Sequence, residues 1–188
     1  MTARAGDFPR HIKVAEPAAS TLWWLWVPLL VVLAIAPVLN VFDGKPPIRP
    51  TFESWSPLVI LPLVMLGLTL MYRRRRIVLE PTQLDITSTF YRRRVALDSL
   101  ELERARVVSL EEHTDLKPAL KTNGYQVPGF RSGHFRMRDG SRCFCLVTDN
   151  SKVLALPLRD GSWVLASPEN PRQLLDELRE LAAPGTAH

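Results

Sequence analysis

Cys143-Phe144-Cys145 sets two thiols on one face of an extended chain, because side chains two apart on a strand point the same way. With His134 or His113 they would offer the donors that hold zinc. A Cys–His pair is also the beginning of a nucleophile, but it needs a third group to orient the base. Neither zinc-ligand spacing nor such a partner accompanies these residues, so the pair reads as buried packing, the usual fate of free cysteine. Cysteines two apart on one strand rarely bridge, so no disulfide framework is expected. Gly124 and Gly129 keep the four-residue gap of a phosphate-binding loop. Phe130-Arg131 then stands where Lys-Ser/Thr would have to reach the phosphates and magnesium. The segment reads as a shaped loop whose Gly and Pro fix its turns. No enzyme, cofactor or metal is expected.

The arginines are the more informative set. Arg73, Arg74, Arg75 and Arg76 form one cluster, and Arg92, Arg93 and Arg94 a second. A third set is interleaved: His134, Arg136 and Arg138 alternate with Phe135 and Met137, and Arg131 lies just upstream. On a strand this spacing puts the basic groups on one face and the apolar pair on the other. These arginines are the candidate contacts for anionic lipid headgroups or for a protein partner. The formal net charge of +5 and pI of about 9.6 do not point to nucleic acid, because no aromatic RNA-binding motif, zinc-finger spacing or recognition helix goes with them.

Two uncharged apolar runs precede this basic region, Thr21 to Phe42 and Ser54 to Tyr72. Each is near the roughly 20 residues a bilayer core requires. Trp23, Trp24 and Trp26 crowd the start of the first, and Trp55 and Tyr72 bracket the second, as in an interfacial belt. A cleaved signal peptide fits less well, since Pro37 would directly follow the small-residue site Ala34-Ile35-Ala36. Arg4, Arg10 and Lys13 before the runs and the arginines after them outweigh Lys45 and Arg49 in the connecting loop. The expectation is a two-helix transmembrane hairpin in the cell inner membrane, with both termini cytoplasmic.

From Ile77 the texture changes to short apolar runs and turn signals. Strands are expected at 77–80, 84–87, 90–97, 105–110, 133–138, 142–148, 153–158 and 163–166, with hairpin turns at Asp139-Gly140 and Asp160-Gly161. The pattern reads as an antiparallel meander. One helix follows: Ser167 as N-cap, Pro168 in the first turn, and Leu174, Leu175, Leu178 and Leu181 as its apolar stripe. Ala183-Pro184-Gly185 should stop it.

Seven or eight strands and a final amphipathic helix follow the order of elements in a pleckstrin-homology-like barrel. The run Gly124 to Phe135, then Leu146 to Asp149, then Ser167 to Pro171, with Phe90 to Arg94 upstream, resembles the bacterial pleckstrin-homology-like domains of membrane-anchored proteins. That resemblance covers about Ile77 to Leu181 and implies fold and topology more than activity. The chain then divides into an N-terminal tail (1–20), the helical hairpin (21–72), the barrel domain (73–182) and a short tail (183–188). The expected function is a non-catalytic membrane-anchored module that contacts anionic lipid or other membrane proteins at the cytoplasmic face. The alternative is an accessory or assembly subunit of a larger membrane complex.

Overall fold

The computed structural model describes residues 8–17, 19–42 and 52–182. The chain divides into two compact units: Ala19–Arg73, and the segments on either side of it.

The first unit is a pair of helices in mutual contact, α1 (Ala19–Phe42) and α2 (Phe52–Arg73). Each runs through two prolines, Pro28 and Pro37 in α1 and Pro57 and Pro62 in α2. The Thr69 hydroxyl donates to the Met65 carbonyl at 2.8 Å, one turn back along α2. The helices form where the apolar runs put them, but the transmembrane reading is not supported. Among the described residues no helix is long and apolar enough to cross a membrane. The two-span hairpin, and with it the inner-membrane location, is corrected accordingly. The side chains of Trp55 and Tyr72, the 43–51 loop and the helix stop at 183–185 lie outside the described residues.

The second unit is built from two sheets and one helix. β1 (Arg10–Ile12), β2 (Arg75–Leu79), β3 (Gln83–Ser88) and β4 (Tyr91–Ala96) form an antiparallel sheet in that order. Its alternation is regular. Ile77, Leu79, Leu84, Ile86 and Val95 are buried on one face, while Arg76, Arg92 and Arg94 stand on the other. β1 precedes the helical pair and β2 follows it, so residues from before α1 are read into the same sheet. Arg10 pairs with Leu79 and Ile12 with Ile77. Further along, the Ala15 amide donates to the Ser167 carbonyl and the Glu169 amide to the Lys13 carbonyl, both at 2.9 Å.

The larger sheet has the order β5-β9-β10-β8-β7-β6. Its strands are β5 (Arg106–Val108), β6 (Leu120–Val127), β7 (Phe130–Arg136), β8 (Arg142–Val147), β9 (Val153–Pro157) and β10 (Trp163–Ala166). Two features depart from the expected meander. β10 slots between β9 and β8 and lies parallel to β8. And Leu120–Val127, half of it read as a shaped loop, is an eight-residue edge strand. Pro128-Gly129 closes the β6–β7 hairpin, with Gly129 at φ 78°, the proline-then-glycine order of a type II turn. Two further hairpins use one four-residue sequence, Arg138-Asp139-Gly140-Ser141 and Arg159-Asp160-Gly161-Ser162. In each the Asp carboxylate accepts from the Ser amide at 2.9 Å and its hydroxyl at 2.6 Å, and the Gly takes a positive φ.

The sheets pack as a two-layer sandwich, where a closed barrel was expected. They meet where β4 lies against β7 and β3 against β8. The Ser88 hydroxyl donates to Ser132 at 2.7 Å at this seam. On its far face the six-stranded sheet carries a second apolar layer, in which Phe135, Met137, Cys143, Cys145, Val147 and Leu165 pack beneath Leu110 and Leu116 of the β5–β6 connection. α3 (Pro171–Ala182) packs on β9, β5 and the short 3-10 turn Leu97–Ser99, burying Leu174, Leu175 and Leu178. It starts later than the Ser167-Pro168 signal indicates. The Ser167 hydroxyl instead donates to the Asp149 carbonyl at 2.9 Å, and Pro168 bridges to Val14; Pro171 is the proline that opens the helix.

Candidate functional site

The β2–β3–β4 register brings the two arginine clusters onto one surface. Arg76, Thr87 and Arg92 form one cross-strand row; Val78, Asp85 and Arg94 form the next. Three guanidiniums thus surround one carboxylate on the outer face of the four-stranded sheet. Asp85 is only 5% exposed, because it lies beneath them. Arg92 grips it with two nitrogens, its Nε at 3.0 and 2.9 Å from the two oxygens. Arg94 Nε stands 3.7 Å away. The hydrogen bond from Arg92 holds the Asp85 carboxyl below the usual carboxylate range, against the opposing effect of burial, and the charges of Arg92, Arg94 and Arg76 add to it. Arg76 meets the His11 ring on β1 at 3.1 Å from Nδ1. Asp85 offsets one charge of three and Glu80, just past β2, also acts on Arg92, so three guanidiniums still outnumber two carboxylates. Sequence reasoning found both clusters but missed Asp85, whose only signal is a lone acid midway along an alternating strand.

The remaining predicted arginines are dispersed. Arg73 ends α2, and Arg74 follows it, its carbonyl accepting the Thr89 amide at 2.9 Å. Arg75 is half-buried on the inner face of β2, opposite Ser88. Arg93 points inward too, in the row of Ile77 and Ile86. Arg131 NH1 donates to Asn150 Oδ1 at 2.9 Å. Arg136 is exposed at the end of β7, with NH1 3.1 Å from the Gly140 carbonyl oxygen, and Arg138 is exposed in the turn beyond it.

His134 follows the expected alternation but lies inside the seam between the sheets. Its ring meets Tyr91 edge-on at 5.9 Å and Phe144 at 5.2 Å. Burial, and next the charge of Arg93, lower its pKa from the ordinary histidine value. Two glycines make room here. A Cβ at Gly133 would come within 2.8 Å of the Tyr91 ring and 2.7 Å of the Asn123 carbonyl oxygen, and one at Gly124 within 2.7 Å of the Ser132 carbonyl oxygen. The Tyr91 hydroxyl closes the seam with a 2.9 Å bond to Asn123.

The cysteines are on the opposite sheet face from His134, since His134 pairs with Phe144 and the thiols flank that residue. Their Sγ atoms are 3.5 Å apart in the apolar layer. Burial foremost, with the hydrogen bond to Cys143, pushes the Cys145 thiol well above its ordinary range, which makes it a poor nucleophile. Among the described residues no group of three or more His, Cys, Asp or Glu side chains could hold a metal.

A family model described as Bacterial PH domain matches residues 75–182, more than half of the chain and the span from β2 to the end of α3. No curated protein and no solved structure matches it.

Proposed function

Because the chain belongs to the bacterial PH domain family, we propose that it is a non-catalytic binding module whose outer basic face takes an anionic partner. The partner is an acidic protein segment or an anionic lipid headgroup. The observation that carries this reading is the composition of that face: Arg76, Arg92 and Arg94 around the carboxylate of Asp85. Asp85 orients Arg92 and stands 3.7 Å from Arg94, while Arg76 meets the neutral His11 ring, so positive charge is left on the face to meet an anion from outside. A fork of fixed guanidiniums suits carboxylate and phosphate oxygens alike.

The test is binding of the full chain to vesicles with and without phosphatidylglycerol, and to a poly-glutamate peptide, across a salt series. Attraction of a surface Lys or Arg to an anionic leaflet is worth about 1 kcal/mol per residue. Reversal of both Arg76 and Arg94 to Glu should therefore weaken binding by well over tenfold. Unchanged binding to both probes would overturn the reading.

A second reading, a subunit of a larger protein assembly, is favoured by the helical pair. Trp23, Trp24, Leu63 and Leu70 are each about three-fifths exposed or more, and apolar surface of this extent commonly marks an interaction site. Gentle purification followed by mass measurement of the particle tests it. A lone monomer with no co-purifying chain would count against it.

A further inference from the structure

A second basic group gathers inside the mouth of the sandwich, apart from the outer face. β7 and β8 place Arg136 directly opposite Arg142. Like charges at such positions repel and destabilise the pairing, and both residues are exposed at the strand ends. They share a sheet face with His134 and Phe144, by register and by the two-residue period of the strand. That face looks toward β4, as the Tyr91–His134 contact demonstrates. Across the gap, Arg93 points inward from β4; its Nε is buried with no hydrogen-bond partner among the described residues. Arg93 and Arg142 are both near enough to Asp160 to lower its pKa, after the larger effect of Ser162. Asp160 is already occupied by the Ser162 amide at 2.9 Å and hydroxyl at 2.6 Å. So among the described residues the group holds three guanidiniums, one imidazole and the Asp160 carboxylate, which is spoken for, as is Asp139 in the β7–β8 turn, which accepts from the Ser141 amide and hydroxyl.

We propose that Arg93, Arg136 and Arg142 form a binding site for a phosphate-type dianion, with His134 and Tyr91 as its floor. The arrangement grades from exposed Arg136 and Arg142 to half-buried Arg93 and His134, so an anion would enter from solvent and lose water as it met Arg93. It would relieve the Arg136–Arg142 repulsion and give the Arg93 Nε an acceptor. Charge-assisted bonds of this kind are about twice as strong as neutral ones. The same chemistry is offered by free inorganic phosphate and by a phosphomonoester headgroup.

The experiment uses the full chain and follows the His134 ring by NMR. One arm adds inorganic phosphate; the other adds phosphatidylcholine vesicles with and without phosphatidic acid. Saturable shifts at His134 in the first arm identify free phosphate as sufficient. Shifts only in the second identify the headgroup. Either supports the site. A dianion there favours the charged imidazole, so the His134 titration should move up in pH when the probe is bound. Arg142→Gln, at an exposed position, should weaken binding about tenfold, the equivalent of about 1.4 kcal/mol, and Arg93→Gln at least as much. Arg106→Gln, on the exposed edge strand β5, should leave it unchanged. Absence of saturable shifts in both arms, or binding indifferent to Arg142→Gln, would overturn the proposal. Because Arg76 and Arg94 play no part in it, the double reversal on the outer face tests the other surface separately.

Discussion

Asp85 keeps its charge nearly out of water only because Arg92 and Arg94 lie over it. Its folded pKa is lowered, so its contribution is fully present above the unfolded value and is lost as pH falls through the folded one. Asp85→Asn should cost about 1 kcal/mol at neutral pH, with the partly exposed arginines screened by solvent. In urea unfolding the gap between variant and wild type should close as pH drops below about 4; a gap that stayed constant would mean that charge is not what Asp85 supplies. Gly133 is the other residue with little latitude. Its φ is +103° and a Cβ would strike backbone at 2.7 and 2.8 Å. Gly133→Ala should cost about 2–4 kcal/mol from strain and overpacking together, measured by thermal melts. The sequence made the arginine clusters legible because runs of one charge are visible in any reading. It hid Arg93, which looks outward in a run of three but is turned inward by the period of β4. Arg142 was hidden as well, because its partner Arg136 lies across a hairpin and only register reveals the pair.

Most strands were legible from alternation and turn chemistry, and Trp163–Ala166 matches residue for residue. β6 was not, because Thr122, Asn123 and Gly124 in its middle mimic loop composition. It is an edge strand with a register shift between Lys121 and Asn123, where half-exposed polar residues and a bulge are the rule. The parallel β8–β10 pairing was equally invisible, since strand order is set by packing, not by any single strand's pattern. α3 was placed by its leucines and mis-started by a misleading Ser-Pro. Those leucines are the strongest claim at this scale. Leu178 is fully buried, so Leu178→Ala should lower stability by about 2–4 kcal/mol, seen as an earlier midpoint in denaturant with an unchanged slope. A negligible shift would mean that α3 docks too loosely to belong to the core.

At the scale of the molecule, the notable fact is where the helical pair enters the chain. β1 and β2 form a hairpin, and everything from α1 to α2 is its loop. Closure entropy grows only slowly with loop length, so a long insertion there is tolerated. Replacement of 19–73 by a short Gly/Ser linker should leave the backbone chemical shifts of 75–182 essentially in place. Widespread loss of dispersion would mean that the sandwich depends on the helices. The sequence divided the chain near Arg73, and a boundary falls there because apolar runs end in charge. It gave no hint that 10–12 belong with 75–79, because three residues are too few for a pattern. This hairpin also sets a mechanical response. A pull applied through α1 would first load the hydrogen bonds that join Lys13 and Ala15 to Glu169 and Ser167. Only after these part would tension reach the Ile12–Ile77 rung, while a pull through α2 reaches the same end of the ladder by way of Arg74, Arg75 and Arg76, which are held to Thr89, Ser88 and Thr87. The pair would then open rung by rung, like a zipper, at far lower force than if its strands were dragged past each other. The domain would therefore part with its first strand by a zipper, with the bonds at Ser167 and Glu169 and the first pairings of β2 with β3 carrying load as it opened.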